Sequence, residues 1–190
     1  MVTIPEGAFS GKVLDTEYHD RLIANLEGFS RVAGVPVEYV WTPVSKYCKG
    51  EAIKWLRTIR RNEFHGLCFV GPLDIIPIED KMMSMAAACL RNYIDARVIT
   101  VQDVLKYLKT DSMPVPTILL IPNFCLEKDE GGDIASWLVS ALLGLLYSRL
   151  GAGLKTVIYV DSLPYLAKSY GTAFQRHLIA HYKLVYRGEC

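Results

Sequence analysis

The sequence has almost no excess of charge of either sign, since 21 Lys and Arg residues oppose 20 Asp and Glu residues and leave a formal net charge of +1 over 190 residues. This balance excludes a global attraction to nucleic acid or anionic lipid, so any such binding must be local. The chain also lacks a long hydrophobic run. The longest, from Ile134 to Tyr147, is shorter than the roughly 20 residues that span a membrane, and we expect a buried helix there and no membrane contact.

Paired cysteines are absent as well. The five cysteines form no C-x-x-C pair and show no metal-ligand spacing, and they stand at positions 48, 68, 89, 125 and 190. We interpret them as reduced thiols of a cytoplasmic protein, in keeping with an N-terminus that has no signal-peptide pattern. His177 and His181 lie four residues apart but without the H-E-x-x-H pattern, so they predict surface or half-buried histidines and no metal site.

With 51% hydrophobic residues, the composition is typical of a globular protein. The simplest division is an N-terminal helical leader, residues 1–36, followed by one domain, residues 37–190. Within the leader, apolar residues at helical spacing predict a helix over residues 15–32. A basic amphipathic helix is predicted to begin near Ser45.

From residue 66 onward, short apolar runs alternate with longer helical segments. Strands that are apolar at every position and separated by helices are typical of a parallel sheet covered on both faces. The pattern therefore predicts a three-layer αβα domain with a mainly parallel five-stranded sheet. Its strands are expected at residues 66–70, 97–100, 117–121, 156–160 and 183–186.

Ligands of such sheets bind beyond the carboxyl ends of the strands, so the loop after the first strand is the first candidate site. A phosphate-binding loop needs glycines, a lysine and a hydroxyl that holds magnesium. Here the segment from Gly71 has one glycine, two prolines and three carboxylates, Asp74 among them. Lys81 is a candidate for a displaced phosphate lysine, but Met82 follows it where Ser or Thr would hold the metal.

The third predicted strand also lacks catalytic groups. An ATPase of this class ends that strand with an acidic pair that holds magnesium and polarises water. This chain has Pro122 and Asn123 there instead.

Over about residues 35–187 the chain resembles the AAA+ helicase loaders of the DnaC/IstB group. Residues 119–123 occupy the place of that family's Walker B segment, and Asp161 ends the strand that carries its sensor asparagine. The segment Tyr170–Leu178 is similar to the arginine-finger box, with Ala173 at the finger position and Arg176 as a candidate substitute. The resemblance implies a P-loop NTPase-like fold and binding of replicative helicases or transposases with ATP hydrolysis.

The phosphate loop, acidic pair, sensor and finger have each lost the groups that ATP turnover uses. We therefore expect a pseudo-ATPase without a cofactor, acting in DNA replication or mobile-element function. A weak P-loop ATPase using Lys81 and a single-stranded-DNA-binding module are the alternatives. An unrelated α/β domain that shares the strand order is the fourth interpretation.

Two surfaces are candidates for contact with a partner. The first is the basic segment around the predicted helix from Ser45, with Tyr47 and Trp55 interleaved among its cations, which include Lys54, Arg57, Arg60 and Arg61. Such a segment is typical of a phosphate backbone contact, an acidic protein contact or a solvated helix face. The second surface is the outer side of the apolar helix, including Trp137. The partner is expected to be a replicative helicase, an active AAA+ relative or a second copy, with DNA as the alternative.

Overall fold

The computed structural model describes residues 3–10, 13–71, 76–127 and 136–186. Within these ranges, five strands form one sheet in which each paired strand runs parallel to its neighbour. The strands are β1 (Gly66–Val70), β2 (Ala96–Val98), β3 (Ile118–Cys125), β4 (Lys155–Val160) and β5 (Tyr182–Val185), in the spatial order β2-β3-β4-β1-β5. The predicted three-layer αβα fold with a five-stranded parallel sheet is confirmed.

Helices precede the sheet and connect its strands. Those before β1 are α1 (Gly7–Ser10), α2 (Asp20–Ala24), α3 (Leu26–Ala33), α4 (Val37–Val40) and α5 (Gly50–Thr58), with a short 3-10 turn at Val44–Lys46. Those after β1 are α6 (Ile78–Arg91), α7 (Val101–Thr110), α8 (Ser136–Gly151), α9 (Leu163–Tyr170) and α10 (Thr172–His181).

Successive side chains of β1 point to opposite faces of the sheet and enter two separate cores. Leu67 and Phe69 pack on the face covered by α6 and the N-terminal helices, where Trp55 is buried. Cys68 packs on the face covered by α7 to α10. Because both faces are covered, β1 is buried at all five positions.

The N-terminal leader packs on the sheet, because Leu22, Leu26 and Ala33 belong to the same core as β1. The division between residues 36 and 37 stays a prediction. The single helix predicted over residues 15–32 is wrong: α2 and α3 are separated at Asn25, whose backbone is not helical (φ −134°, ψ 45°).

A second break lies between residues 163 and 179, within the last of the longer helical segments that the alternation after residue 66 predicts. Gly171, with φ +95°, separates α9 from α10. This conformation favours glycine, because a side chain would clash with the backbone there.

Among the described helices, none is long and apolar enough to cross a bilayer.

Candidate functional site

The strand order places the candidate site at the carboxyl ends of β1 and β4. Chain connections leave these two neighbouring strands in opposite directions, which opens a crevice where ligands of parallel sheets bind. Gly71 follows β1 directly, and its N–H donates to the carbonyl of Val160 at 3.0 Å. Its φ of +85° lies in the left-handed region, so glycine is required at this position. Asp74, further along this loop, lies outside the described residues.

Carboxylates occupy the beginning of α6, where a nucleotide phosphate would meet backbone N–H groups. The helix starts after Pro77, which provides no side-chain cap, and its first turn carries Glu79 and Asp80. Asp80 accepts a hydrogen bond from the Tyr39 hydroxyl at 2.7 Å. Burial raises the pKa of Tyr39, as does this carboxylate, so the hydroxyl remains a donor at neutral pH. The start of α6 is thus acidic.

Lys81, the candidate phosphate lysine, is the fourth residue of α6 and is 2% exposed. Its backbone N–H donates to the carbonyl of Pro77 at 3.2 Å, and its own carbonyl accepts from the Cys48 thiol at 3.5 Å. The residue is therefore buried on the side of α6 that packs against the N-terminal part of the chain.

The positions of the missing acidic pair have a structural role. The Asn123 side chain accepts a hydrogen bond from the N–H of Val101 at 2.9 Å and donates to Gln102 at 2.6 Å. It thereby satisfies a free N–H at the start of α7, a group that a helix cannot pair internally. Pro122 beside it is buried and lacks a donor N–H.

A bulge in β3 moves an unpredicted carboxylate to the end of this strand. Ile121 pairs with Ile158 and Cys125 with Val160, so residues 122–124 of β3 face a single residue of β4. The strand therefore continues beyond Asn123, and Glu127 follows its end. The sequence offered no signal for this residue, because the predicted strand ended at residue 121.

Asp161 and Glu127 form one hydrogen-bonded group at the carboxyl ends of β4 and β3. Asp161 accepts from the N–H of Glu127 and from the Tyr159 hydroxyl, both at 2.7 Å. Glu127 accepts from the Ser162 hydroxyl at 2.8 Å. Burial raises the pKa of Tyr159, and the negative charges of Asp161 and Glu79 raise it as well. The polar groups at this edge are thus engaged with one another.

Arg176, the candidate arginine finger, lies exposed on α10, and Ala173 is exposed one turn before it. No hydrogen bond or ion pair joins Arg176 to the carboxylates of the site within the described ranges. The structure therefore does not bring it together with Asp161.

The basic segment divides into two parts. Lys54 forms an ion pair with Glu51 at 2.6 Å. Arg57, Arg60 and Arg61 lie elsewhere, exposed along a groove between α5 and the C-terminal end of α6. Trp55, which was interleaved with them in the sequence, is 2% exposed and belongs to the core.

The outer side of α8 is exposed in the described part of the chain. Trp137 is 56% exposed and Tyr147 51%, whereas Leu142 and Leu146 are buried on the opposite side. Gly144 lies on the outer side, with no atom within 4 Å of the position of a Cβ.

A separate polar cluster lies at the amino-terminal edge of the sheet. Both ring nitrogens of the buried His177 and Nε2 of the buried His65 have no hydrogen-bond partner. The pKa of each histidine is lowered to about 4, mainly by burial. Lys155 and Arg149 contribute to the lowering at His65. His181 contributes to the lowering at His177. Among the residues described, no group of His, Cys, Asp and Glu could hold a metal ion.

Comparison with known proteins identifies the fold. No protein-family profile and no curated protein sequence matches the chain. Solved structures do match: DnaI, with 12% identity, a TM-score of 0.57 and coverage of 80% of this chain and 90% of that one; and the DnaC helicase loader, with 15% identity, a TM-score of 0.55 and coverage of 78% and 98%.

Domain III of the replication initiation protein DnaA from Thermotoga maritima is also similar, with 14% identity, a TM-score of 0.51 and coverage of 80% of this chain and 68% of that one. These identities are low, so the likeness concerns the fold. The chain has the αβα fold of DnaI and of the DnaC helicase loader.

Proposed function

We propose that this protein is a catalytically inactive adaptor with the helicase-loader fold, acting through protein–protein contacts in DNA replication or mobile-element function. One of the proteins of similar fold is a helicase loader. By analogy, the proposed partner is a replicative helicase, an active AAA+ relative or a second copy of this chain.

The acidic carboxyl end of the sheet is the observation that carries this proposal. Glu79, Glu127 and Asp161 lie there, where a triphosphate would need cations. At a separation of 4 Å, two like charges repel by about 1 kcal/mol in water and about 4 kcal/mol near a protein surface. Glu79 therefore opposes the gain from the backbone N–H groups at the start of α6, while the carboxylates of Glu127 and Asp161 are engaged in hydrogen bonds with protein groups.

The burial of Lys81 supports the same conclusion over a weak ATPase. A phosphate lysine must bring its ammonium group to the nucleotide, whereas this side chain is 2% exposed. Asn123 supports it further, because its amide is held by Val101 and Gln102 and supplies neither a magnesium ligand nor a base.

ATP hydrolysis and complex formation test the proposal together. The protein is mixed with the replicative helicase of its own host, and the complex is weighed by mass photometry with ATP, with ADP and without nucleotide. We expect a complex whose amount is independent of nucleotide and no phosphate release above that of the helicase alone. Hydrolysis by the isolated protein, lost in Lys81→Met with the fold retained by circular dichroism, would establish the weak ATPase instead.

A further inference from the structure

The groove beside α5 is a concavity among the described residues that the proposed function does not use. It has a volume of about 940 Å³ and is open to solvent. Its walls come from α5 and the turn that follows, from the segment before α5, and from the C-terminal end of α6. We call it the arginine groove, after Arg57, Arg60 and Arg61 on its rim.

The charge of the arginine groove is of one sign. Arg57, Arg60 and Arg61 are exposed, and within the described residues none of their guanidinium groups makes a hydrogen bond or ion pair, although the backbone N–H of Arg61 donates to Thr58. No Asp or Glu is among the described residues that line the groove. This contrasts with a chain whose overall charges cancel. Three unpaired guanidinium groups beside each other favour a ligand that carries carboxylates or phosphates.

The floor of the groove is apolar. Ile53, Leu56 and Ile94 line it and remain partly exposed. Arg91 also lines the groove, and its guanidinium donates to the carbonyls of Tyr39, Val40 and Thr42 at 2.8–3.3 Å. These bonds fix the C-terminal end of α6, which forms one wall of the groove, against α4 and the residues that follow it.

An apolar floor distinguishes a peptide from a nucleic acid. Single-stranded nucleic acid is held by aromatic faces on which its bases stack. Tyr18 is the one aromatic residue among the described lining, and its ring meets Tyr93 and His19 edge-on at 5.8 and 4.9 Å. Trp55, the other candidate for stacking, is buried in the core.

We propose that the arginine groove binds an acidic amphipathic segment of a partner protein, with apolar side chains on Ile53 and Leu56 and carboxylates on the three arginines. The inference rests on the adaptor function proposed above and names the chemistry of its partner. Apolar anchors would enter the groove at helical or alternating spacing, as in other peptide-binding grooves.

Fluorescence anisotropy of the whole protein with three labelled probes tests the proposal. The first probe is a peptide of about 18 residues, about 27 Å long as a helix, with Glu and Leu on opposite faces. The second keeps every Glu and replaces each Leu with Ser. The third is oligothymidylate. The groove variant is Arg57→Ala/Arg60→Ala/Arg61→Ala. A control with the same net charge is Lys54→Ala/Lys106→Ala/Lys168→Ala, since these lysines are exposed elsewhere.

We expect saturable binding of the amphipathic peptide, weakened about tenfold in the groove variant because each exposed guanidinium–carboxylate pair contributes a factor of about two. The control variant should bind as the wild type does, and the serine peptide should bind at least tenfold more weakly. Equal binding of the two peptides, tighter binding of oligothymidylate, no binding of the amphipathic peptide, or equal losses in both variants would overturn the proposal. ATP hydrolysis by the protein would instead overturn the adaptor function, so the two failures are distinguishable.

Discussion

Mild acid should destabilise this protein through two buried histidines. The pKa of His65 and of His177 is lowered from 6.5 to about 4, mainly by burial. Neither ring has a full set of hydrogen bonds that could stabilise a charge in the described structure. Below pH 6.5 the unfolded chain therefore binds protons that the folded chain refuses, and stability falls as the pH drops towards 4.

The size of this effect follows from the two pKa values. At pH 7.5 both histidines are neutral in either state and contribute nothing. At pH 5.0 the unfolded histidines are almost fully protonated and the folded ones mostly neutral, which amounts to about 2 kcal/mol for each and about 4 kcal/mol for the pair. That is a large part of the 5–15 kcal/mol of a typical domain (about 0.1 kcal/mol per residue).

Urea unfolding at pH 7.5 and pH 5.0 measures this loss, with His65→Phe/His177→Phe as the comparison. The phenylalanine variant keeps two aromatic rings but cannot be protonated. Its free energy of unfolding should match or exceed that of the wild type at pH 7.5, because unpaired buried nitrogens are removed. Between pH 7.5 and 5.0 it should lose about 4 kcal/mol less than the wild type does. An equal loss in both proteins would refute the reasoning.

Two further substitutions test the packing. Arg149→Met should lower the free energy of unfolding by about 2–4 kcal/mol in urea at pH 7.5. The substitution removes a buried guanidinium that donates to Thr156 and to the carbonyls of Pro116 and Lys155. An unchanged midpoint would show that these bonds contribute nothing. Gly171→Ala should cost about 1 kcal/mol, because φ is +95° between α9 and α10, and a variant as stable as the wild type in the same assay would contradict a requirement for glycine there.

The sheet and most helices could be predicted from sequence because their signals are local. The segment 66–70 is apolar throughout, and β1 has these bounds because both faces of the sheet are covered. The breaks at Asn25 and Gly171 were missed, because a helical spacing of apolar residues on both sides of a break looks continuous.

The sequence shows which motif residues the candidate site lacks, but it did not predict that Glu127 belongs to the site. The absence of Ser or Thr after Lys81 and of an acidic pair at the end of the third predicted strand is readable from residues 71–82 and 120–124. Glu127 was missed, because a bulge in β3 depends on pairing with β4 and leaves no mark in the sequence. The sequence predicted one basic patch, whereas in the structure Lys54 pairs with Glu51 and Arg57 lines the arginine groove. This difference depends on which residues face the core, and the sequence does not show it.

Calorimetric titration of the protein with ATP and magnesium tests the central claim most directly. A carboxyl edge occupied by Glu79, Glu127 and Asp161 predicts no saturable heat up to millimolar ATP and no rise in the melting temperature. Binding in the micromolar range, weakened by Gly71→Trp at the end of β1 and retained by Arg176→Ala on α10, would contradict the account.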